Sequence, residues 1–324
     1  MKVLVIGVGG QVGSKVAKLA LQNGDTVVGA YRSRPLVHPG IESIPLDKAD
    51  PHSVTEGIER IRPDVVIDTG ALHNVDYCEM HPDEAKAVNS VGTGRLARAA
   101  WDVGARFVFI STDYVFDGAQ PEPYSESDSP HPQSIYARSK LEGEQVAMAV
   151  NRNTVIARPS VIYSWAPLKD SANSASGKPL NFASWFLRQL LDGKEVRIVT
   201  DQVASPTLAD DLAGALLALA RSSATGVFHT AGATPLSRYD FCIRIAHHFG
   251  LQSQRVVPVE SAVLQQAARR PHNSSLSSDK LRRETGYAMQ EIGPALNQMS
   301  RGMEQDPELP PLLRNRDPKG ATTG

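Results

Sequence analysis

The chain of 324 residues carries 34 Lys+Arg against 35 Asp+Glu, a formal net charge of −1, and 41% hydrophobic residues. That length fits one large domain, or a large and a small one, with ample chain to bury a core. The charge balance gives no electrostatic reason to expect nucleic acid or an anionic membrane as partner. No apolar run approaches the roughly 18 residues of a membrane span.

The first run, Val3 to Ile6, is wholly apolar and ends in glycines. Ser14–Asn23 reads as a helix with Val16, Leu19 and Ala20 on one face, and Thr26–Ala30 as a β-branched strand. The alternation continues through helices at Val54–Ile61, Glu84–Asp102 and Ser139–Val150, and strands at Val65–Asp68, Arg106–Ser111 and Thr154–Arg158. Apolar runs without a period of two belong to strands buried on both faces. Their alternation with helices predicts an α/β fold with a doubly wound parallel sheet.

After Pro159 the pattern changes. Ser164–Leu180, rich in Ser, Ala, Pro and Asn, reads as a loop able to order over a ligand. Helices are expected at Phe182–Asp192, Ala209–Arg221, Tyr239–Phe249 and Glu260–Arg269, with strands at Val196–Val199 and Val227–Thr230 between them. This divides the chain into a dinucleotide-binding domain over 1–160, to whose sheet later strands return, a mainly substrate-binding domain over 161–302, and an irregular tail over 303–324. The two cysteines, Cys78 and Cys242, lie far apart and make no metal-ligand spacing, and His247-His248 occupy positions that do not share a helical face. The expectation is a metal-free protein in a reduced, cytoplasmic setting, with no secretory signal segment ahead of the first strand. The oligomeric state is left open, a homodimer included.

Gly7-Val8-Gly9-Gly10-Gln11-Val12-Gly13 joins the first strand to the first helix, with Gly7, Gly10 and Gly13 spaced G-x-x-G-x-x-G. Glycines here permit a tight turn, close approach of backbone to a pyrophosphate, and close helix–strand packing, while the helix N-terminus faces the diphosphate. With a strand before and a helix after, the turn reads as a dinucleotide site. NAD binders place a carboxylate after the second strand to bond the ribose 2′-OH. This chain has Ala30-Tyr31-Arg32-Ser33-Arg34. Arg32 or Arg34, with Ser33, can hold a 2′-phosphate, so NADP(H) is favoured over NAD(H). Asp47 lies where a carboxylate meets the adenine amino group.

Tyr136-Ala137-Arg138-Ser139-Lys140 is Y-x-x-x-K at the head of a helix, and positions four apart share a face. An ammonium beside a phenol favours phenolate and brings a poor acid–base group towards the working range. Upstream, Ser111-Thr112-Asp113-Tyr114-Val115-Phe116-Asp117-Gly118 follows a strand. A hydroxyl there sits at the crevice where parallel sheets bind ligands, so Thr112 can hydrogen-bond a carbonyl. Asn89 is a polar residue inside an apolar helical stretch.

These runs, with Pro123-Tyr124-Ser125-Glu126, Asp76-Tyr77-Cys78-Glu79, the 201–207 run Asp-Gln-Val-Ala-Ser-Pro-Thr and Arg269-Arg270-Pro271, resemble the dTDP-4-dehydrorhamnose reductase family of extended short-chain dehydrogenases. They also resemble the regulatory beta subunit of methionine adenosyltransferase. The likeness spans residues 1 to about 300. It implies Thr112, Tyr136 and Lys140 as the catalytic triad. It implies cofactor contacts from Gly70, Ala71, Asn89, Pro159 and Ser160 beside those of the glycine turn. Asp113, Tyr114, Phe116, Asn181 and Ser205 are implied at the substrate. One departure stands out: the reductases commonly carry tryptophan where this chain reads Val161, with Trp165 farther on. The expected activity is NADPH-dependent reduction of the 4-keto group of a nucleotide-linked, dTDP-type deoxysugar. The rival readings are a non-catalytic NADP-binding regulatory subunit and a sugar-nucleotide epimerase or dehydratase. Against the last stand Arg32 and the pair Asp113-Tyr114, where dehydratases carry Asp-Glu.

Overall fold

The computed structural model describes residues 1–165 and 181–304. The expected loop after Ser164 and the expected tail therefore lie almost wholly outside the described residues. The first half runs β1 (Lys2–Ile6), α1 (Gln11–Gln22), β2 (Thr26–Tyr31), β3 (Ile41–Pro45), α2 (Pro51–Ile61) and β4 (Val65–Asp68). It continues with α3 (Val75–Met80), α4 (Pro82–Lys86), α5 (Gly92–Asp102), β5 (Arg106–Ile110), α6 (Ile135–Val150) and β6 (Thr154–Arg158). Then follow β7 (Ile162–Tyr163), α7 (Phe182–Leu191), β8 (Val196–Val199), β9 (Val203–Ala204), β10 (Thr207–Leu208) and α8 (Ala209–Arg221). The last elements are β11 (Gly226–His229), β12 (Leu236–Ser237), α9 (Arg238–His248), β13 (Val256–Val259), α10 (Asp279–Thr285) and α11 (Ile292–Glu304).

Seven parallel strands form the main sheet in the order β11-β6-β5-β4-β1-β2-β3, the doubly wound arrangement expected from the alternation. The order reverses between β1 and β4, which opens the ligand crevice at the carboxyl ends of the strands. Every residue of β4, β5 and β6 is buried, which is why those runs lack alternation. One apolar cluster, with α1 and α8, covers one face of the sheet; a second, with α2, α5 and α6, covers the other. A third core joins α7, α9 and α11 around Tyr163, Phe186 and Phe241.

Several sequence expectations change. The expected helix over 84–102 is interrupted: a π-helical turn, Ala87–Val91, separates α4 from α5. It places Asn89 at full burial, and such bulges recur at functional positions. Glu260–Arg269 holds only a 3₁₀ turn, Ser261–Leu264, ending at Gln265 with φ 45°. Its Val263 and Leu264 are exposed, so no apolar face exists to dock a helix. Strands β3 and β13 and helices α10 and α11 were not anticipated. Among the described residues no helix is long and apolar enough to cross a membrane, and no metal-holding group of His, Cys, Asp or Glu occurs.

Candidate active site

The glycine turn leaves β1 with Gly7 at φ 79°, a backbone that favours glycine. Gly7 and Val8 donate N–H groups to the Ala30 carbonyl at 2.8 and 3.0 Å, binding the turn to the end of β2. A Cβ on Gly13 would stand 2.4 Å from the Gly7 carbonyl oxygen, and one on Gly9 would overlap the Arg34 carbonyl. The turn is therefore a cradle that only glycine permits, lying against the 32–34 segment. No side chain caps the N-terminus of α1, where Gln11, Val12 and Gly13 begin the helix. Arg32, Ser33 and Arg34 are exposed beside it. A backbone cradle, an uncapped helix start and adjoining guanidiniums fit a phosphorylated dinucleotide.

After β3, Asp47 accepts from the Ala49 N–H at 2.9 Å and stays partly exposed. Gly70 and Ala71 follow β4 and are also partly exposed. Asn89 reaches this wall indirectly. It accepts from Leu72 N at 2.9 Å and donates to Leu72 O at 3.0 Å and to Ser139 Oγ at 3.1 Å. Expected as a direct cofactor contact, its fully buried amide instead holds the backbone after Ala71.

Helix α6 starts at a Ser134 cap that accepts from Ala137 N at 3.3 Å, earlier than the sequence suggested. Tyr136 and Lys140 thus lie on its first turns. Lys140 is buried and donates to the Ile110 carbonyl at 2.6 Å, tying α6 to the end of β5. The pull of the Thr112 hydroxyl, two residues on, opposes the upward push of desolvation on the Tyr136 phenol. Desolvation holds the phenol protonated above its ordinary range. Tyr114 meets Tyr136 edge-on, centroids 6.3 Å apart. Burial lowers the Lys140 ammonium to about 7, helped by the charge of Lys48, while Asp68 and Glu144 oppose it.

The expected substrate residues divide sharply. Tyr114 is partly exposed at the crevice. Asp113 is buried and fully engaged, accepting from Thr112 Oγ1 at 3.1 Å, Ser160 Oγ at 2.7 Å and Ser274 Oγ at 2.6 Å. Desolvation raises its pKa, and those hydroxyls and the field of Arg238 pull the other way. Ser160, expected beside the cofactor, is itself fully buried and spends its hydroxyl on Asp113 and the Ser205 N–H; its neighbour Pro159 is buried too. Phe116 is fully buried, stacked on Tyr124 at 4.2 Å, with the Arg158 guanidinium 5.2 Å from its ring. Asn181 caps α7, accepting from Ala183 N and Ser184 N. Ser205 exchanges hydrogen bonds with the backbone of Leu276. Asp113, Phe116, Asn181 and Ser205 therefore build the wall behind the pocket rather than its surface. Arg270 pairs with Asp76 at 2.8 Å. Val161, where tryptophan was expected, takes φ 42°, rare for a β-branched residue. Trp165 packs against the third core.

Two buried ion pairs beneath the site escaped the sequence reading. Glu144 takes both Arg158 nitrogens, Nε at 2.9 Å and Nη2 at 2.5 Å, and also accepts from Ser111 Oγ. Lys48 pairs with Asp68 at 2.7 Å. Each had a signal. Glu144 falls four residues past Lys140 on the same face, and Asp68 and Arg158 are charges ending all-apolar runs, which demand buried partners.

Residues 1–304 match the family described as RmlD substrate binding domain. The dTDP-4-dehydrorhamnose reductase of Mycobacterium tuberculosis H37Rv is 36% identical over 282 residues, covering 86% of this chain and 85% of the relative. The methionine adenosyltransferase 2 subunit beta of Bos taurus is 32% identical over 289 residues, covering 86% and 81%. The crystal structure of a Bacillus anthracis dTDP-4-dehydrorhamnose reductase in complex with NADP superposes with a TM-score of 0.79 at 28% identity, covering 93% of this chain and 99% of that one. With its doubly wound sheet, glycine cradle and Thr112–Tyr136–Lys140 constellation, the chain belongs to the dTDP-4-dehydrorhamnose reductase family of extended short-chain dehydrogenases.

Proposed function

We propose that the chain is an oxidoreductase that reduces the 4-keto group of a nucleotide-linked deoxysugar, with NADPH as reductant and a dTDP sugar as substrate. The observation that carries this reading is the placing of Tyr136 and Lys140 four residues apart on the first turns of α6, with Thr112 just past the end of β5, to which Lys140 is tied. Gly7, Gly10 and Gly13, with the start of α1, would hold the pyrophosphate, Arg32 and Ser33 the 2′-phosphate, and Gly70–Ala71 would form the wall beside the turn. The reduced nicotinamide, when bound there, supplies the hydride to the carbonyl carbon. Thr112, turning its hydroxyl from Asp113, would orient the carbonyl oxygen. Tyr136, kept protonated by desolvation, gives its proton to that oxygen as negative charge develops. Lys140, lowered to about 7, in its charged form supplies the positive charge that stabilises the phenolate left behind.

Tyr136→Phe is the test. It keeps the ring and removes the proton donor, so NADPH oxidation with a dTDP-4-keto-6-deoxy sugar should fall about 10²- to 10⁴-fold, with NADPH binding nearly unchanged. Retained turnover would overturn Tyr136 as the acid. A wild-type chain that binds NADPH, oxidises none with any keto sugar and co-purifies with methionine adenosyltransferase would support the regulatory reading instead.

A further inference from the structure

Of the two buried ion pairs beneath the site, Lys48–Asp68 is the one that holds the backbone next to the phosphate turn. Both side chains are buried, at 5% and 0% exposure, under the strand ends that open the crevice. The ammonium spends all three donors: on Asp68 Oδ2 at 2.7 Å, on the Gly70 carbonyl at 2.6 Å and on Thr93 Oγ1 at 3.3 Å. Asp68 Oδ1 in turn accepts the Gly70 N–H at 2.9 Å. One ion pair therefore grips both backbone groups of a single glycine.

The surroundings are cut to admit this arrangement. Gly92, on α5, has no Cβ; one there would lie 2.9 Å from the Lys48 carbonyl oxygen and 3.0 Å from its Cγ. Arg95 on the same helix donates to the Ala49 carbonyl and ties the loop down from the other side. On its far side Gly70 abuts the phosphate turn: a Cβ on Gly7 would be 3.0 Å from Gly70 N. A shift of Gly70 would thus be felt by the cradle itself.

Stability does not account for such a pair. Buried ion pairs are commonly matched or bettered by apolar residues of similar volume, because desolvation cancels the attraction. Val65, Val66 and Ile67, the residues before Asp68, are all apolar and buried, so an apolar side chain would suit the strand. What an apolar pair cannot do is hold a backbone N–H and C=O at once.

We propose that Lys48 and Asp68 are positioning residues for the dinucleotide, clamping Gly70 so that the wall formed by Gly70 and Ala71 stands ready beside the phosphate turn. The inference rests on the dinucleotide-binding part of the proposed function and adds to it two residues that touch neither reacting group. Their effect passes through the Gly70 peptide.

The test is the double variant Lys48→Met, Asp68→Asn in the full chain. It removes both charges together, leaves no unpaired buried ion, and lets the amide keep the Gly70 N–H while the grip on the carbonyl is lost. NADPH titrated without any sugar should show Kd raised roughly tenfold, the worth of one good hydrogen bond to a placed group. In turnover, KM for NADPH should rise while KM for the keto sugar holds. Should the double variant fail to fold, Thr93→Val, which removes only the third bond of the ammonium, should raise Kd in the same direction by less. A folded double variant whose NADPH Kd and KM equal the wild-type values overturns the proposal and leaves the pair structural. A wild-type chain that binds no dinucleotide overturns the functional reading instead, so the two failures are told apart.

Discussion

Around the phosphate turn the crevice is lined by glycine backbone and by exposed Arg32, Ser33 and Arg34, whereas on the substrate side the polar groups are buried and already bonded to one another. Asp113 answers to Thr112, Ser160 and Ser274; Asn181 caps α7; Ser205 binds Leu276. The cofactor half offers unspent groups on a fixed backbone. On the expected substrate side, Asp113, Asn181 and Ser205 are spent on structure, and on the proposed function Tyr114 and Tyr136 are left to face a ligand among the described residues. If the contrast is real, substitutions in the first half should cost affinity and substitutions in the second should cost stability.

The largest effect tests the first half. If Arg32 holds a 2′-phosphate, Arg32→Ala removes a charge-assisted bond worth about 1.5–3 kcal/mol. NADPH affinity should then drop roughly ten- to a hundredfold, with NADH affinity and thermal stability unmoved. Paired titrations of NADPH and NADH check this. Equal losses for both would mean that Arg32 serves the turn rather than the phosphate.

How far the sequence could be read follows the same division. The cofactor half was legible because its signals are backbone signals: apolar strands, a glycine turn and Tyr136 four residues before Lys140 are local, and each implies one geometry. The π turn at Ala87–Val91 was not, since nothing in the run Ala-Val-Asn-Ser-Val marks an extra residue in the turn. Phe116 and Asn181 misled for another reason. A motif shared with a family marks residues near a site without saying whether they face it. Only the distant partners, Tyr124 for Phe116 and Ser164 for Asn181, reveal that these side chains turn inward.

A smaller effect probes the inner wall through pH. His229 is fully buried at the end of β11; its Nδ1 meets the Tyr124 carbonyl at 3.1 Å and its Nε2 has no partner. Burial, with the nearby Arg158 charge, pushes its pKa down to about 3, against 6.5 ordinarily. The folded state therefore refuses a proton that the unfolded chain accepts between those values. Stability is fully present above the unfolded value and falls as pH drops towards 3, by about 1.4 kcal/mol per pH unit for this one group. His229→Gln should flatten the decline by one proton between pH 6 and 4.5, read from urea midpoints. Parallel slopes in the two proteins would place the proton elsewhere.

The smallest effect is the most pointed, because Asn181 was assigned to substrate by its sequence and to structure by its contacts. Its Oδ1 accepts from Ala183 N at 3.0 Å and Ser184 N at 3.4 Å, while Nδ2 donates to the Ser164 carbonyl. At 2% exposure the side chain has no face left for a ligand. Asn181→Ala should therefore cost about 1 kcal/mol of stability, the usual worth of an N-cap, and leave KM for the keto sugar where it was. Asn181→Ser keeps a capping oxygen and should recover most of that loss, although it cannot reach Ser164 as the amide does. A raised KM with unchanged thermal stability would reverse the assignment and show that the substrate half, like the cofactor half, holds side chains in reserve for its ligand.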